Sequence, residues 1–367
     1  MARIMFYTCI KTRVRDQESL VKALVQRGDE VLFVNQTENK YLPKICQSVG
    51  AAYKTVRPPK LKWSGFRVLY YVADLLVRSW TNKVDTIFSH LEPANFIAVL
   101  VQFLVPAKVV IVRHHHDLAE RAGFGADFSY RMTYGWARSI IAVSRASREY
   151  AIKKEGVHPE RIYHINLGYD FSVFGSPNYE KAESLRKVNG EAIKLVTVGR
   201  LDPYKRPELS IQVAHRLKAR GLKVRLWLLG DGEDLDKLKQ LVVAWQLVNE
   251  VEFVGYSDEV LTYLTASDWI LHPSISEASC VVLKEAGLVQ RPVIACRSVG
   301  DFDDVVINGV NSVLVDSAKF TTEAVDSIIQ YSDPLQRKKF GNALHDRIIS
   351  TFSIDRVLTK YDRFCVS

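Results

Sequence analysis

The chain has 367 residues, of which 47% are hydrophobic and 25% charged, and this length predicts two domains with separate cores. The balance of residue types and the absence of any low-complexity tract from the sequence exclude a mainly disordered chain. No apolar run near the N-terminus is long enough for a signal peptide or a membrane span, which favours a cytosolic protein. The five scattered cysteines form no CxxC pair, which argues against a disulfide framework and a zinc site.

The net charge of +9 is unevenly distributed along the chain. Residues 1–175 hold 25 Lys and Arg against 15 Asp and Glu, a net charge of +10, whereas residues 176–367 hold 25 against 26, a net charge of −1. The basic half predicts an anionic partner: a membrane surface, nucleic acid or a phosphorylated acceptor. Residues 57–80 mix basic and aromatic side chains, as an interfacial amphipathic element does, although a core helix with a basic outer face fits equally. Nucleic acid is the weaker partner, because the basic residues form no recognisable binding module.

The N-terminal half alternates short apolar runs with amphipathic stretches. Bounded by polar or turn residues, five runs predict buried parallel strands: RIMFYT, DEVLFVN, DTIFSH, KVVIVRH and SIIAVS. Between the first two lies a helical pattern, QESLVKALVQRG, which ends at Gly28. The alternation of strands and helices predicts a doubly wound α/β domain over residues 1–175.

The pattern lapses over the polar residues 176–192, where we place the domain boundary, and then resumes. Five more strands are predicted: AIKLVTVG, VRLWLLG, EVEFVG, WILHPS and PVIACRS. They indicate a second doubly wound domain over residues 176–354, followed by a terminal helix in SIDRVLTKYDRFC. Ligands of open α/β sheets bind at the carboxyl ends of the strands, so the default site is the cleft between two such domains.

Two glutamates mark the start of a predicted helix between WILHPS and PVIACRS. Glu277 lies in the loop after the first of these strands, and Glu285 lies eight residues further on. Eight helical steps would separate their backbones by ~12 Å, whereas carboxyls that flank one glycosidic bond lie ~5 to 9.5 Å apart. The pair therefore fits opposite ends of a longer ligand, and the free backbone amides after Glu277 could bind a phosphate. The alternative is that Glu277 is only a charge at the helix N-terminus and that Glu285 is a solvated helix residue.

Two further groups follow predicted strands. Arg200 and Lys205 lie on the loop after AIKLVTVG, where a planar guanidinium and an ammonium suit phosphate oxygens; the alternative is a solvated basic loop. His114, His115 and His116 end the strand KVVIVRH. Because side chains alternate along an extended segment, at most two of the three face the site, and packed or solvated loop histidines are the alternative.

The sequence favours neither a metal site nor a dinucleotide site. The acids of DLD, residues 234–236, suit the start of a helix, where they complement its dipole. DFDD, residues 301–304, is a better place for Mg²⁺ or Mn²⁺, but no metal is expected. GDGED does not fit GxGxxG and the sequence has no GxxxxGK[ST] loop, which argues against nicotinamide enzymes and P-loop NTPases.

Several blocks resemble the retaining family 4 glycosyltransferases of GT-B fold in their order and spacing. The blocks are LVTVGRLDPYK, LWLLGDGED, VEFVGYSDE, ASDWILHPSISEASCVVLKEAGLVQRPVIA and NGVNSVLV. With IIAVSRASREYAIKKEGVHPERIYHINLGYDFSVF, which resembles the family's segment before the domain crossover, they cover most of residues 140–316. The resemblance implies two Rossmann-like, doubly wound parallel-sheet domains that face each other across a cleft, with a C-terminal helix near residues 355–367 packed back on the first.

The resemblance also implies roles for individual residues. The donor-binding residues would be Arg200, Lys205, Glu277, Ala278, Ser279, Cys280 and Glu285. Arg200 and Lys205 would bind the diphosphate, Glu277 the sugar hydroxyls and Glu285 the ribose, while the three amides after Glu277 would face the phosphates or the sugar. The catalytic residues would be Glu277 and one of His114, His115 or His116, with Asp117 beside it.

Three departures from the family pattern concern the donor and acceptor sites. Ala278, Ser279 and Cys280 follow the first glutamate, where glycines are usual. CIKTRVRDQ replaces the usual Gly-rich loop after the first strand, and the usual acidic helix entry reads VGDFDDVV. The pattern that implies the fold is intact.

The resemblance thus implies a retaining glycosyltransferase. Arg200, Lys205 and the helix amides could stabilise the departing diphosphate in place of a metal, so we expect no metal and no cofactor. Its donor would be a nucleoside-diphosphate hexose or N-acetylhexosamine, with UDP-sugars favoured and GDP-mannose as the alternative. The basic N-terminal half and residues 57–80 favour a lipid-linked or cell-envelope glycan as the acceptor. With the basic N-terminal half, we expect a cytoplasmic protein that is peripheral on the inner face of the cytoplasmic membrane. The alternatives are another GT-B enzyme, such as a sugar-nucleotide epimerase or a phosphorylase, and a non-catalytic carbohydrate-binding protein of the same fold.

Overall fold

The computed structural model describes residues 1–59, 64–114 and 126–365. The chain divides into two compact units: unit 1 comprises residues 1–173 and 352–367, and unit 2 comprises residues 174–351. Each unit is a parallel sheet with helices packed against it, which confirms the expectation of two Rossmann-like domains. No helix among the described residues combines the length and the hydropathy needed to cross a bilayer.

The described part of unit 1 is built on seven strands: β1 (Arg3–Thr8), β2 (Glu30–Asn35), β3 (Ala52–Thr55), β4 (Thr86–His90), β5 (Lys108–Arg113), β6 (Ile140–Ala142) and β7 (Ile162–His164). They pair in parallel in the order β3-β2-β1-β4-β5-β6-β7. The α-helices among the described residues of this unit are Arg15–Gln26, Leu42–Val49, Ser64–Thr81, Ala94–Val101, Ala126–Trp136, Arg145–Glu155 and Ile354–Tyr361.

Aromatic side chains form one layer of the unit 1 core. The rings of Phe6 and Phe33, on neighbouring strands, stack at 5.5 Å, and the ring of Phe88 lies 5.8 Å from that of Phe6. The C-terminal helix adds to this layer, because the ring of Tyr361 lies 5.2 Å from that of Phe88. Residues far apart in sequence therefore share one core.

Helix Ser64–Thr81 covers most of the basic and aromatic segment 57–80. Tyr71 and Leu75 are buried, whereas Phe66 and Leu69 are exposed. The helix therefore packs on unit 1 through one face and presents apolar side chains to solvent on the other, and its interfacial role stays a prediction.

The described part of unit 2 is built on six strands: β8 (Ile193–Val198), β9 (Val224–Leu229), β10 (Val251–Gly255), β11 (Trp269–His272), β12 (Val293–Cys296) and β13 (Val313–Val315). They pair in parallel in the order β10-β9-β8-β11-β12-β13. The helices are Tyr179–Val188, Pro207–Ala219, Leu235–Ala244, Val260–Ala266, Val281–Leu288, Phe302–Val305, Phe320–Gln330 and Pro334–Phe352.

The structure differs from the sequence prediction in its short elements. β3, β7 and β13 have only three or four residues, and β3 is half exposed at the sheet edge, so none of them shows the long apolar run of a buried strand. Residues 176–192 contain helix Tyr179–Val188, where we expected the periodicity to lapse. Asn178 begins this helix by accepting a hydrogen bond from the Lys181 amide, a capping signal that the prediction overlooked.

Candidate functional site

The carboxyl edge of the unit 2 sheet brings three loops together. β8, β11 and β12 are neighbours, and loops that leave the carboxyl ends of adjacent parallel strands lie side by side. The first of these loops carries Lys205, the second Glu277 and the third Asp301. Residues that are distant in sequence can therefore contact one ligand.

Glu277 lies at the centre of a buried charge network. Its side chain is 10% exposed and forms an ion pair with Lys205, whose side chain is 21% exposed. His272, the last residue of β11, places its Nε2 atom 2.6 Å from Oε1 of Glu277. The structure thus brings together two residues predicted from the sequence and adds a histidine that the prediction missed.

The members of this network fix one another's charge. Burial by itself lowers the pKa of His272, but Cys280 and Glu277 outweigh this effect and raise the pKa to about 9. Burial by itself raises the pKa of Glu277, but the positive charges of His272 and Lys205 hold it well below its usual value. At neutral pH the site therefore holds a carboxylate between an imidazolium and an ammonium.

Gly300 allows the third loop to approach Glu277 closely. Its φ of +54° lies in the left-handed region, which favours glycine. A Cβ atom at this position would lie 2.7 Å from Cβ of Glu277. Any side chain here would therefore strain the backbone and displace Glu277.

A second buried ion pair fixes the loop before helix Val281–Leu288. Lys284 pairs with Asp301, and both side chains are fully buried. Asp301 also accepts hydrogen bonds from Ser279 Oγ at 2.6 Å and from the Cys280 amide at 3.0 Å. One expectation is thereby corrected, because the Cys280 amide is bonded within the protein rather than free for a phosphate. Asp301, in the segment weighed as a metal site, is the partner of a lysine instead.

The helix that carries Glu285 begins at Val281, so Glu277 lies in the loop ahead of it. The two glutamates are therefore not joined by eight continuous helical steps, and the separation expected from that geometry does not apply. Glu285 is 6% exposed, which excludes the alternative of a solvated helix residue.

The loop after β8 directs its two cations differently. Oδ1 of Asp202 accepts hydrogen bonds from the amides of Tyr204 and Lys205 at 3.1 and 3.0 Å, which shapes the turn. Lys205 then points to Glu277, whereas the Arg200 side chain is 70% exposed, with Nη2 2.9 Å from Oδ2 of Asp202. Arg200 is therefore near the loop that holds Lys205 but outside the buried network.

His272, Glu277 and Cys280 also form a candidate metal-binding group within the described residues. Their ligand atoms lie within 4.8 Å of one another, and all three residues are buried. Imidazole, carboxylate and thiolate are ligands of Zn²⁺. Because Glu277 is already paired with Lys205, a metal here would compete with an ammonium, and ion pairing within the protein is the better account of this cluster.

The carboxyl edge of the unit 1 sheet holds a pair of histidines. His114 follows β5, and its Nε2 atom lies 3.1 Å from Nδ1 of His90, which ends β4. Burial lowers the pKa of His90, and His114 lowers it further. The other residues of the predicted group, His115, His116 and Asp117, lie outside the described residues.

Glu92 is a further residue of this edge that the sequence prediction missed. It lies two residues beyond β4, and its Oε2 accepts a hydrogen bond from the Phe96 amide at 3.2 Å. Burial raises the pKa of Glu92 to about 7. A carboxyl with a strongly shifted pKa at the end of a strand is a functional-site candidate. The available signal was its position directly after the predicted strand DTIFSH.

Two family models match the two halves of the chain. Residues 18–173 match Glycosyltransferase Family 4, and residues 180–346 match Glycosyl transferases group 1. The chain belongs to the family 4 glycosyltransferases. The second match includes the whole network around Glu277.

Curated relatives and solved structures agree with this family. The chain is 27% identical over 224 residues to the putative colanic acid biosynthesis glycosyltransferase WcaL of Salmonella typhimurium, covering 58% of this chain and 53% of WcaL. It is 25% identical to the N-acetyl-alpha-D-glucosaminyl L-malate synthase of Bacillus anthracis, covering 94% and 90%. The crystal structure of Anabaena HepE in complex with UDP is similar at a TM-score of 0.81 with 19% identity, covering 98% of each chain, which confirms the GT-B fold. The chain spans about half the length of most of the curated relatives it matches.

Proposed function

We propose that this chain is a GT-B glycosyltransferase of cell-envelope glycan synthesis, which transfers a hexose or N-acetylhexosamine from a nucleoside-diphosphate sugar. The observation that carries the proposal is the buried network of Lys205, Glu277 and His272 in a family 4 glycosyltransferase. UDP-sugars are favoured as donors because solved complexes of the structural relative HepE contain UDP and UDP-glucose. A lipid-linked or cell-envelope glycan is the proposed acceptor, because relatives are named for colanic acid and lipopolysaccharide core biosynthesis.

The charges of the site suit the departure of a nucleoside diphosphate. When the anomeric carbon–oxygen bond breaks, negative charge accumulates on the diphosphate, and one preorganised donor in a desolvated site contributes about 3 to 4 kcal/mol to its stabilisation. We propose Lys205, which also pairs with Glu277, and the more exposed Arg200 for this role. They can supply the charge that a metal would supply elsewhere, so we propose a transfer that needs no metal.

Glu277 would hold the donor sugar. Its carboxylate can accept hydrogen bonds from sugar hydroxyls, and Lys205 and His272 keep it ionised when solvent is displaced. The family implies transfer with retention at the anomeric carbon, and we propose that outcome here. Glu285, on the helix after this loop, would contact the ribose.

Donor binding tests the proposal most directly. We expect one member of a panel of UDP-, GDP-, ADP- and TDP-sugars to raise the melting temperature, since a ligand at 100 times its Kd stabilises the folded state by about 2.7 kcal/mol. The shift should persist with EDTA and should be lost in Glu277→Gln and Glu285→Ala. Glu183→Gln, an exposed helix residue of the same unit, is the control and should keep the full shift.

Product analysis then separates the candidate activities. Transfer predicts a glycoside whose anomeric signal by NMR has the configuration of the donor, together with release of the nucleoside diphosphate. Free sugar-nucleotide isomers as the product would indicate an epimerase instead. A chain that binds no donor in any of these assays would contradict the proposal and favour a carbohydrate-binding protein.

A further inference from the structure

The amino edge of the unit 1 sheet exposes large apolar side chains. β5 and β6 are neighbours, so the segments that precede them meet at one edge. Phe103 and Leu104 precede β5 and are 62% and 58% exposed, and Trp136 precedes β6 and is 55% exposed. Such a group of exposed apolar residues is typical of an interaction surface.

Direct contacts join these residues into one surface. Gln102 donates a hydrogen bond from Nε2 to the carbonyl oxygen of Trp136 at 3.0 Å, and its Oε1 accepts one from the Arg138 amide at 3.1 Å. The guanidinium of Arg138 lies 4.3 Å from the ring centre of Phe103. An aromatic ring with a cation over its face thus lies beside an exposed tryptophan.

A basic groove adjoins the apolar residues. It has a volume of about 450 Å³, and its described lining includes Lys108, Arg138 and Arg363 but no carboxylate. The guanidinium of Arg363 lies 4.0 Å from the ring centre of Tyr163, and Nζ of Lys108 lies 5.0 Å from that of Phe364. The groove therefore combines three cations, two of which lie over aromatic rings, and suits a phosphate group.

The amino-edge surface is defined as Phe103, Leu104, Trp136, Lys108, Arg138 and Arg363. We infer that it docks the protein onto a bilayer with anionic headgroups, where the apolar side chains enter the interface and the three cations meet lipid phosphates. Aromatic rings with basic neighbours suit the headgroup region of a bilayer. The net charge of +10 over residues 1–175 adds long-range attraction to such a membrane.

This inference goes beyond the proposed function, because it concerns unit 1 and not the donor network of unit 2. It also places the membrane contact on residues other than those at the start of helix Ser64–Thr81. Residues 57–80 are the sequence candidate, and the two ends of helix Ser64–Thr81 differ. Its start follows β3, on the carboxyl side of the sheet, whereas its end, with the exposed Trp80, precedes β4 on the amino side. Phe66 and Leu69, near that start, are as exposed as the amino-edge residues and provide a matched comparison.

Co-sedimentation of the full chain with vesicles tests the docking. We expect binding to phosphatidylcholine vesicles that contain phosphatidylglycerol, and little binding to phosphatidylcholine alone. Since each cation near an anionic membrane changes the partition coefficient by about fivefold, the triple variant K108Q/R138Q/R363Q should bind about 100-fold more weakly. The double variant F103S/L104S and the triple variant F103S/L104S/W136S should also lose vesicle binding without a change in melting temperature. The control F66S/L69S should keep vesicle binding.

Each of the following results would overturn the assignment of the membrane contact to the amino-edge surface. Absence of wild-type binding at low salt, or undiminished binding of both variants, would exclude docking through this surface. A loss in F66S/L69S equal to that in F103S/L104S would place the contact on helix Ser64–Thr81 instead. Equal affinity for DNA would identify a general polyanion surface. Calorimetry with UDP-glucose on the same variants keeps the two proposals separate, because the amino-edge changes should leave donor binding unchanged.

Discussion

His272 and Glu277 make the stability of unit 2 depend on pH in a specific window. The pKa of His272 rises from 6.5 to about 9 on folding, so the folded state keeps a proton that the unfolded chain releases. This contribution is fully present below about pH 6.5 and is lost as the pH rises through about 9. We expect the melting temperature of the wild type to fall over this range, and to fall less in His272→Gln, which keeps a polar contact without a titrating group.

Donor affinity should follow the same window if the charge of His272 supports Glu277. A UDP-sugar that is bound through Glu277 should bind progressively more weakly as the pH approaches 9 in the wild type. Calorimetric titration at several pH values measures this, with His272→Gln as the comparison. If the melting temperature of His272→Gln falls with pH as steeply as that of the wild type, His272 is not the source of the pH dependence of stability.

Glu92 illustrates the free energy cost of burying a carboxylate. Its pKa rises from 4.5 to about 7, so between these values the folded state holds a proton that the unfolded chain has lost. Stability therefore falls as the pH rises from about 4.5 to about 7 and stays reduced above it. Glu92→Gln, which can still accept the hydrogen bond from the Phe96 amide, should raise the melting temperature at pH 8 and change it little at pH 4.5.

The exposed Glu160→Gln provides the control for this prediction, since a surface carboxyl should show no such pH-dependent gain. Thermal unfolding followed by circular dichroism at the two pH values is sufficient. If Glu92→Gln melts lower than the wild type at pH 8, burial of the carboxylate is not what raises this pKa. If it melts higher and loses activity, Glu92 is retained for function at the expense of stability.

At the scale of single residues the sequence identified charges but not their partners. Arg200, Lys205, Glu277 and Glu285 stood out because they follow strands and match a family pattern. His272 is the last residue of a buried strand, where an apolar pattern conceals it, and the loop after β11 turns back to bring Glu277 to its Nε2 atom. The pairing of Glu277 with Lys205 depends on the neighbouring positions of β8 and β11 in the sheet, which periodicity alone does not provide.

The loop that carries Glu277 depends on the buried pair of Lys284 and Asp301. Removing one partner of a buried ion pair leaves an uncompensated charge and costs about 3 to 5 kcal/mol. We therefore expect Lys284→Met and Asp301→Asn each to lower the free energy of unfolding strongly, as measured with urea. The double variant should lose much less than the sum, because neither partner is then left as an uncompensated buried charge.

Lys187→Met breaks an exposed pair with Glu183 in the same unit and serves as the control, with little or no effect expected. Additive losses in the double-mutant cycle would show that Lys284 and Asp301 do not stabilise the loop together. The double variant should also bind the donor more weakly than the wild type, since the loop that carries Glu277 would be held less firmly.

At the scale of elements the prediction succeeded where apolar runs are long. The ten predicted strands match β1, β2, β4, β5, β6 and β8 to β12, whereas the short strands at or near the sheet edges were missed. Edge strands such as β3 bury less apolar surface and therefore have a weaker pattern. The helix before β8 was missed for a related reason, because it buries only Ala182 and shows no apolar stripe.

For the whole molecule, the most consequential feature is that unit 1 is assembled from both ends of the chain. Val357, Tyr361 and Phe364 of the C-terminal segment are each 1% exposed. Thr86 Oγ1 in β4 donates a hydrogen bond to the carbonyl oxygen of Phe364 at 2.7 Å. Unit 1 therefore lacks part of its core until the last residues of the chain are in place.

Deletion of residues 353–367 should destabilise unit 1 selectively. Loss of a buried aromatic side chain alone costs about 3 to 5 kcal/mol, so Tyr361→Ala should lower the stability of unit 1 substantially and the deletion should lower it further. Tyr361→Phe, which keeps the ring against Phe88, is the conservative control and should melt near the wild type. Hydrogen exchange should show faster exchange in Thr86–His90 and unchanged protection in Trp269–His272, because only the first strand packs on the deleted helix. Equal loss of protection in both strands would mean that the two units unfold together, and unchanged protection in both would mean that the C-terminal segment contributes little to the core of unit 1.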